Sequence, residues 1–123
     1  MSSFELDIAK FGQKAIDNAE KVVRKIGLDM HSRIVERTPV DTGRAKAGTH
    51  ISINTHPTGE EGPGEHGISP FKLGDTVIIY NNVEYIVPLE YGHSKQAPQG
   101  MFRISFNDVV THLGATIRSV ARG

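Results

Sequence analysis

The stretch from Ile8 to Ile34, IAKFGQKAIDNAEKVVRKIGLDMHSRI, places apolar residues three or four positions apart. This spacing is typical of an amphipathic helix, because a helix turns once every 3.6 residues. Pro39 ends the pattern, so we predict a helix of about 28 residues, long for a chain of this size. Gly27 weakens its middle, and a kink there is one expectation. The apolar stripe consists of Ile8, Phe11, Ala15, Ala19, Val22, Ile26, Met30 and Ile34.

Short β-type segments follow this helix. Residues 49–55 alternate between apolar and polar, as a half-buried strand does. Thr76 to Tyr80 and Val83 to Val87 are rich in β-branched residues, and the turn formers Asn81 and Asn82 between them predict a hairpin. The polar connection 56–75, with many glycines and prolines, looks unstructured and is predicted to be a long hairpin tip that is mobile and partly disordered in the free subunit and orders against a neighbour.

The chain closes with a second helical pattern, which begins between Pro98 and Asn107. We therefore predict an α+β fold in one domain, residues 1–123, with a long N-terminal and a C-terminal helix on one face of a small antiparallel β-sheet. The closing pattern consists of Phe102, Phe106, Val109, Val110, Leu113, Ile117 and Val120.

The composition narrows the function classes. The 14 basic and 14 acidic residues cancel, which argues against a dedicated DNA binder, since such proteins carry a basic excess. The absence of cysteine excludes disulfides, thiolate zinc sites and cysteine nucleophiles. The start of the chain has no signal-peptide pattern, and no apolar run has the length of a membrane span.

Several short motifs together resemble one family. Thr38-Pro39-Val40-Asp41-Thr42-Gly43-Arg44 ends the long helix, Val83-Glu84-Tyr85-Ile86 and Leu89-Glu90-Tyr91-Gly92 follow, and Pro98 and Phe102 precede the last helix. In this order they resemble the HK97 gp10-like family of neck and tail-completion proteins of long-tailed bacteriophages. The likeness covers most of the chain, and the proline–valine–aspartate–threonine–glycine turn is its most distinctive piece.

The resemblance implies a structural virion protein of the head–tail junction, made in the host cytoplasm. Copies would form a closed ring that contacts neighbouring connector and tail proteins and lets DNA pass without sequence-specific binding. No cofactor, metal or membrane is implied. The candidate residues for subunit or partner contacts are Asp41, Thr42, Gly43, Arg44, Glu84, Tyr85, Glu90, Tyr91 and Gly92.

Other functions stay open at this point. A tail terminator protein capping the tail tube would share the fold. A small hydrolase or nuclease would need carboxylates and histidines gathered in one pocket, and no sequence spacing forces that. His56 and His66 share a loop with three glutamates, a weak pattern for a metal site. A nucleic-acid binder would have to use the basic residues of the first helix, which Asp17 and Glu20 offset.

Overall fold

The computed structural model describes residues 2–39, 43–91 and 100–122, with side chains from Gly12 onward. Its strands are β1 (Thr49–Ile53) and β2 (Val77–Asn81), and a 3-10 helix spans Gly64–Ile68. The predicted α+β class, with a long first helix and a long hairpin loop, is confirmed. The helices are α1 (Ser2–Arg37), α2 (Arg44–Ala47), α3 (Ile86–Glu90), α4 (Phe102–Thr111) and α5 (Leu113–Arg122).

Helix α1 is longer than predicted and continuous. Its 36 residues correspond to about 54 Å. Gly27 does not break it. A Cβ at this position would lie 3.1 Å from Cδ1 of Ile68, so the missing side chain lets the loop pack against the helix. At the other end the Thr38 hydroxyl donates to the Ile34 carbonyl at 2.6 Å, just before Pro39.

The sheet consists of β1 and β2, paired antiparallel with Ile51 opposite Ile79. The third strand predicted at Val83 to Val87 is wrong. The Asn81 side-chain oxygen accepts from the Val83 N–H at 3.0 Å, which turns the chain out of the sheet, and α3 follows. Pro88 lies in the first turn of α3, where a missing N–H costs little.

The loop between β1 and β2 contains a 3-10 helix and buried side chains, so the prediction that 56–75 is unstructured is also wrong, while its mobility in the free subunit stays a prediction. Ile68 and Phe71 are 4% and 2% exposed and form one hydrophobic cluster with Ile51 of β1. Arg24 of α1 donates to the Phe71 carbonyl at 2.6 Å. The two apolar side chains give an otherwise polar loop enough buried surface to hold its shape.

The C-terminal helical pattern forms two helices, α4 and α5, with His112 between them. Helix α4 is tied to α1 by the Arg37 guanidinium, which binds Asp108 and donates to the Ser105 hydroxyl at 3.0 Å. The hydrogen bond from Arg37 holds the pKa of Asp108 below its ordinary value. A second buried cluster joins Ile34, Ala45, Ile86 and Met101, and thereby connects α1 to α2, to α3 and to the start of α4.

A candidate protein–protein interface

The predicted contact residues that the structure describes fall into two groups, one at each end of α3. The first group surrounds Arg44. Gly43 adopts a left-handed conformation, with φ 72°, and so starts α2 with Arg44 as its first residue. The Arg44 Nε donates to Glu60 at 3.0 Å, and a second guanidinium nitrogen also binds that carboxylate.

The Arg44 guanidinium also lies close to Glu84 and Tyr85, the other members of this group. It lies 3.7 Å from the Glu84 carboxylate and 5.6 Å from the centre of the Tyr85 ring. The hydrogen bond to Arg44 lowers the pKa of the Glu60 carboxyl, and Glu60 in turn raises the pKa of Arg44. Three of the predicted contact residues, Arg44, Glu84 and Tyr85, are therefore neighbours in the fold. Glu60 was not predicted, because it lies in the loop that was expected to be unstructured.

The second group contains Glu90 and Tyr91. The Glu90 carboxylate accepts the N–H groups of Met101, Phe102 and Arg103 at 2.8–3.1 Å, and so caps the N-terminus of α4. Burial alone would raise the pKa of Glu90, but these N–H donors outweigh it and the pKa lies below its ordinary value. The Glu90 side chain is thus engaged within its own chain.

Tyr91 is different, because its side chain is 65% exposed. Its ring lies under the Arg103 guanidinium, 5.2 Å away. Tyr91 therefore presents an aromatic surface that a partner can cover. Asp41, Thr42 and Gly92 lie outside the described residues.

A set of exposed apolar side chains on the C-terminal helices was not among the predicted contact residues. Phe106, Val110, Leu113 and Ile117 follow one another at steps of four, three and four, and are 36–59% exposed. Their pattern predicted a core face, because helical periodicity does not distinguish a face buried in one chain from a face buried between chains. We call these four residues the C-terminal apolar surface.

A groove of about 380 Å³ adjoins this surface, between α1, β2 and α4. Complete burial of one large apolar side chain gains about 1.5–3 kcal/mol, so a partner that covers this region gains several kcal/mol. Contiguous exposed apolar surface of this kind is a frequent mark of an interaction site. The groove is lined by Val23, Ile26, Gly27, Met30, Val77, Ile79, Phe106, Val109, Val110 and Leu113.

Among the histidines and carboxylates of the described residues, His50 has a structural role. His50 is buried, its Nε2 donates to the Glu60 carbonyl at 2.7 Å, and its Nδ1 accepts the Gly64 N–H at 2.9 Å. Both ring nitrogens therefore hold the loop in place. Within ranges 2–39, 43–91 and 100–122, no three histidine or carboxylate side chains are gathered as metal ligands.

Comparisons with family models, curated proteins and solved structures return no match to this chain. Among the helices described, none is both long and apolar enough to cross a membrane. The geometry combines an exposed apolar helix face, a groove and an arginine-centred polar group, and this combination makes the region a candidate surface for another protein.

Proposed function

We propose that this chain is a structural subunit of the head–tail junction of a long-tailed bacteriophage, in which copies form a closed ring between head and tail. The observation that carries the proposal is the C-terminal apolar surface with its groove. A small chain that leaves Phe106 and Val110 more than half exposed gains stability when another subunit covers them.

The arrangement of the sites supports a ring. A closed ring needs a heterologous contact, in which two different surfaces of the same chain meet. The C-terminal apolar surface offers one, and the group of Arg44, Glu60, Glu84 and Tyr85 offers a second of polar character. The motif likeness to phage neck and tail-completion proteins supplies the biological setting.

The charge balance is compatible with DNA passing through such a ring. With 14 basic and 14 acidic residues, the subunit has no overall attraction for the phosphate backbone. A ring that guides DNA during ejection works best when it does not hold it. The same balance of charge argues against sequence-specific binding of DNA.

The experiment is to measure particle mass by light scattering, for the protein alone and after mixing with purified phage heads or tails. We expect a ring, or a small species that assembles on a head or tail. The double variant Phe106→Ser, Val110→Ser should lose this assembly. Leu73→Ser is the matched control, because Leu73 is 52% exposed but lies outside the C-terminal apolar surface.

A folded monomer that ignores both heads and tails would contradict the proposal. An equal loss of assembly in the Leu73→Ser control would also count against it, because the effect would then not belong to the surface. Circular dichroism of each variant separates lost assembly from lost folding.

A further inference from the structure

The two outer edges of the sheet differ. The Asn54 N–H donates to the Thr76 carbonyl at 2.9 Å. Because hydrogen-bonded pairs alternate along an antiparallel ladder, residues 78 and 80 point their backbone groups at β1. On β2 the backbone N–H and C=O groups that point outward, away from β1, are therefore those of Val77, Ile79 and Asn81. On β1 the outward groups are those of Thr49, Ile51 and Ile53.

The outer edge of β1 is covered. His31 of α1 donates from Nε2 to the Thr49 carbonyl at 2.8 Å. The Ile51 carbonyl lies so close to Gly67 of the 3-10 helix that a Cβ there would overlap it. No strand can approach this edge without displacing the loop.

Within the described residues, the outer edge of β2 is open. Across the part of the chain that the structure describes, no hydrogen-bond partner lies against the outward backbone groups of Val77 and Ile79. Unpaired N–H and C=O groups in a row are a template for another strand, because an extended chain supplies matching groups at the same spacing. The chemistry of the missing partner is therefore that of a β-strand.

We propose that β2 pairs antiparallel with β2 of a second copy, with Ile79 opposite Ile79 of that copy. In the described part of the chain, the one open strand edge is the outer edge of β2. A second copy therefore has the same β2 edge available for pairing. The outward residues are symmetric about Ile79, and this register puts Val77 opposite Asn81 of the other copy. Each such pair exchanges two hydrogen bonds.

The side chains fit this register. Val77 and Ile79 line the groove beside Phe106, so a second strand at this edge extends the apolar cover over the groove. The two Ile79 side chains become a cross-strand neighbour pair on that face. Pairing also turns a two-stranded sheet, which is small and marginal, into one of four strands.

This contact rests on the strand edge and does not depend on the head–tail role. It is isologous and gives a closed pair, whereas the proposed ring needs a heterologous contact. Its failure and the failure of the proposed function are therefore distinguishable. Loss of the pair leaves the C-terminal apolar surface intact, and the Phe106→Ser, Val110→Ser variant leaves the backbone groups of the β2 edge intact.

The first test compares Val77→Pro with Val77→Ala by analytical ultracentrifugation. Proline removes the outward N–H and is tolerated at the first residue of a strand, so β1 and β2 stay paired. Alanine trims the side chain but keeps the N–H. We expect a concentration-dependent dimer whose dissociation constant rises about tenfold or more in Val77→Pro, and much less in Val77→Ala.

The second test uses the absence of cysteine from the chain. Ile79→Cys should form a covalent dimer under mild oxidation, because the opposed Cα atoms are about 5.5 Å apart in such a pair, within disulfide range. Ile78→Cys faces the other side of the sheet, out of register, and should not. A wild-type monomer at high concentration, equal cross-linking of both variants, or equal effects of proline and alanine would overturn the proposal.

Discussion

Two glycines of the β1–β2 loop differ in what surrounds them. At Gly67 a Cβ would overlap the Ile51 carbonyl oxygen, which is part of the backbone and cannot rotate away. At Gly59 nothing lies within 4 Å. We expect Gly67→Ala to lower the free energy of unfolding by about 1–3 kcal/mol, because the loop must move off β1.

Gly59→Ala is the matched control for this substitution. It adds the same methyl group to the same loop in open space, so its effect should stay within about 0.5 kcal/mol. Urea unfolding of both variants measures the difference. Equal stability of the two would mean that the loop does not lie against β1 as described.

Glu90 makes folding stability depend on pH. Its pKa is lowered in the folded protein, so its contribution is present above the ordinary value of 4.5 and is lost as pH falls through the folded value. At pH 7, Glu90→Gln should cost about 1–2 kcal/mol, because an amide cannot accept from all three N–H groups of α4. The difference in the free energy of unfolding between Glu90→Gln and the wild type should disappear as the pH falls.

Glu84→Gln serves as the control for Glu90→Gln. The Glu84 side chain is 82% exposed, and its closest ion-pair distance is 3.7 Å. Urea midpoints measured from pH 7 to pH 3 should separate the two. A gap for Glu90→Gln that stays constant over this range would contradict the capping role of the carboxylate.

At the scale of elements, the β1–β2 loop is part of the core. Phe71→Ala should lower the free energy of unfolding by about 3–5 kcal/mol, because a ring that is 2% exposed leaves a cavity. Leu73→Ala, two residues on and 52% exposed, should change it by about 0.5 kcal/mol or less. Similar small losses in both variants would show that the loop is not packed.

The sequence predicted α1, β1 and β2 because their apolar periods extend over several residues or alternate cleanly. It failed at Val83 to Val87, since a short apolar run has the same composition in a strand and in a helical turn. The side chain of Asn81 decides between them by accepting the Val83 N–H. It failed for the loop because two apolar residues, Ile68 and Phe71, carry no periodicity among glycines and prolines.

That the candidate residues form an interface stays a prediction, and the structure shows which of them lie together. Arg44, Glu84 and Tyr85 come from motifs far apart in sequence, and the fold does bring them together. Glu90 proved to be engaged in capping α4, which needs knowledge of where the chain returns at Met101. Phe106 and Val110 were seen as apolar but expected in the core, because burial depends on what α1 and β2 leave uncovered.

At the scale of the whole molecule, the balance of charge predicts weak binding to DNA. We expect no saturable binding of duplex DNA by the protein alone at about 150 mM salt, because neutral proteins release few counterions. Fluorescence anisotropy with two unrelated duplexes measures this. Tight binding that prefers one sequence would favour the nucleic-acid binder over the junction subunit.

The unbroken course of α1 has a mechanical consequence. The helix is held at several points: the cluster around Ile34 packs near its C-terminus, Ile68 lies against Gly27, and Arg24 donates to the Phe71 carbonyl. From Arg24 to Thr38 these contacts extend over about 21 Å of the helix axis, given a rise of about 1.5 Å per residue. A tilt of α1 at Thr38 therefore has to displace the β1–β2 loop as well, so the unbroken helix mechanically couples the two ends of this contact region.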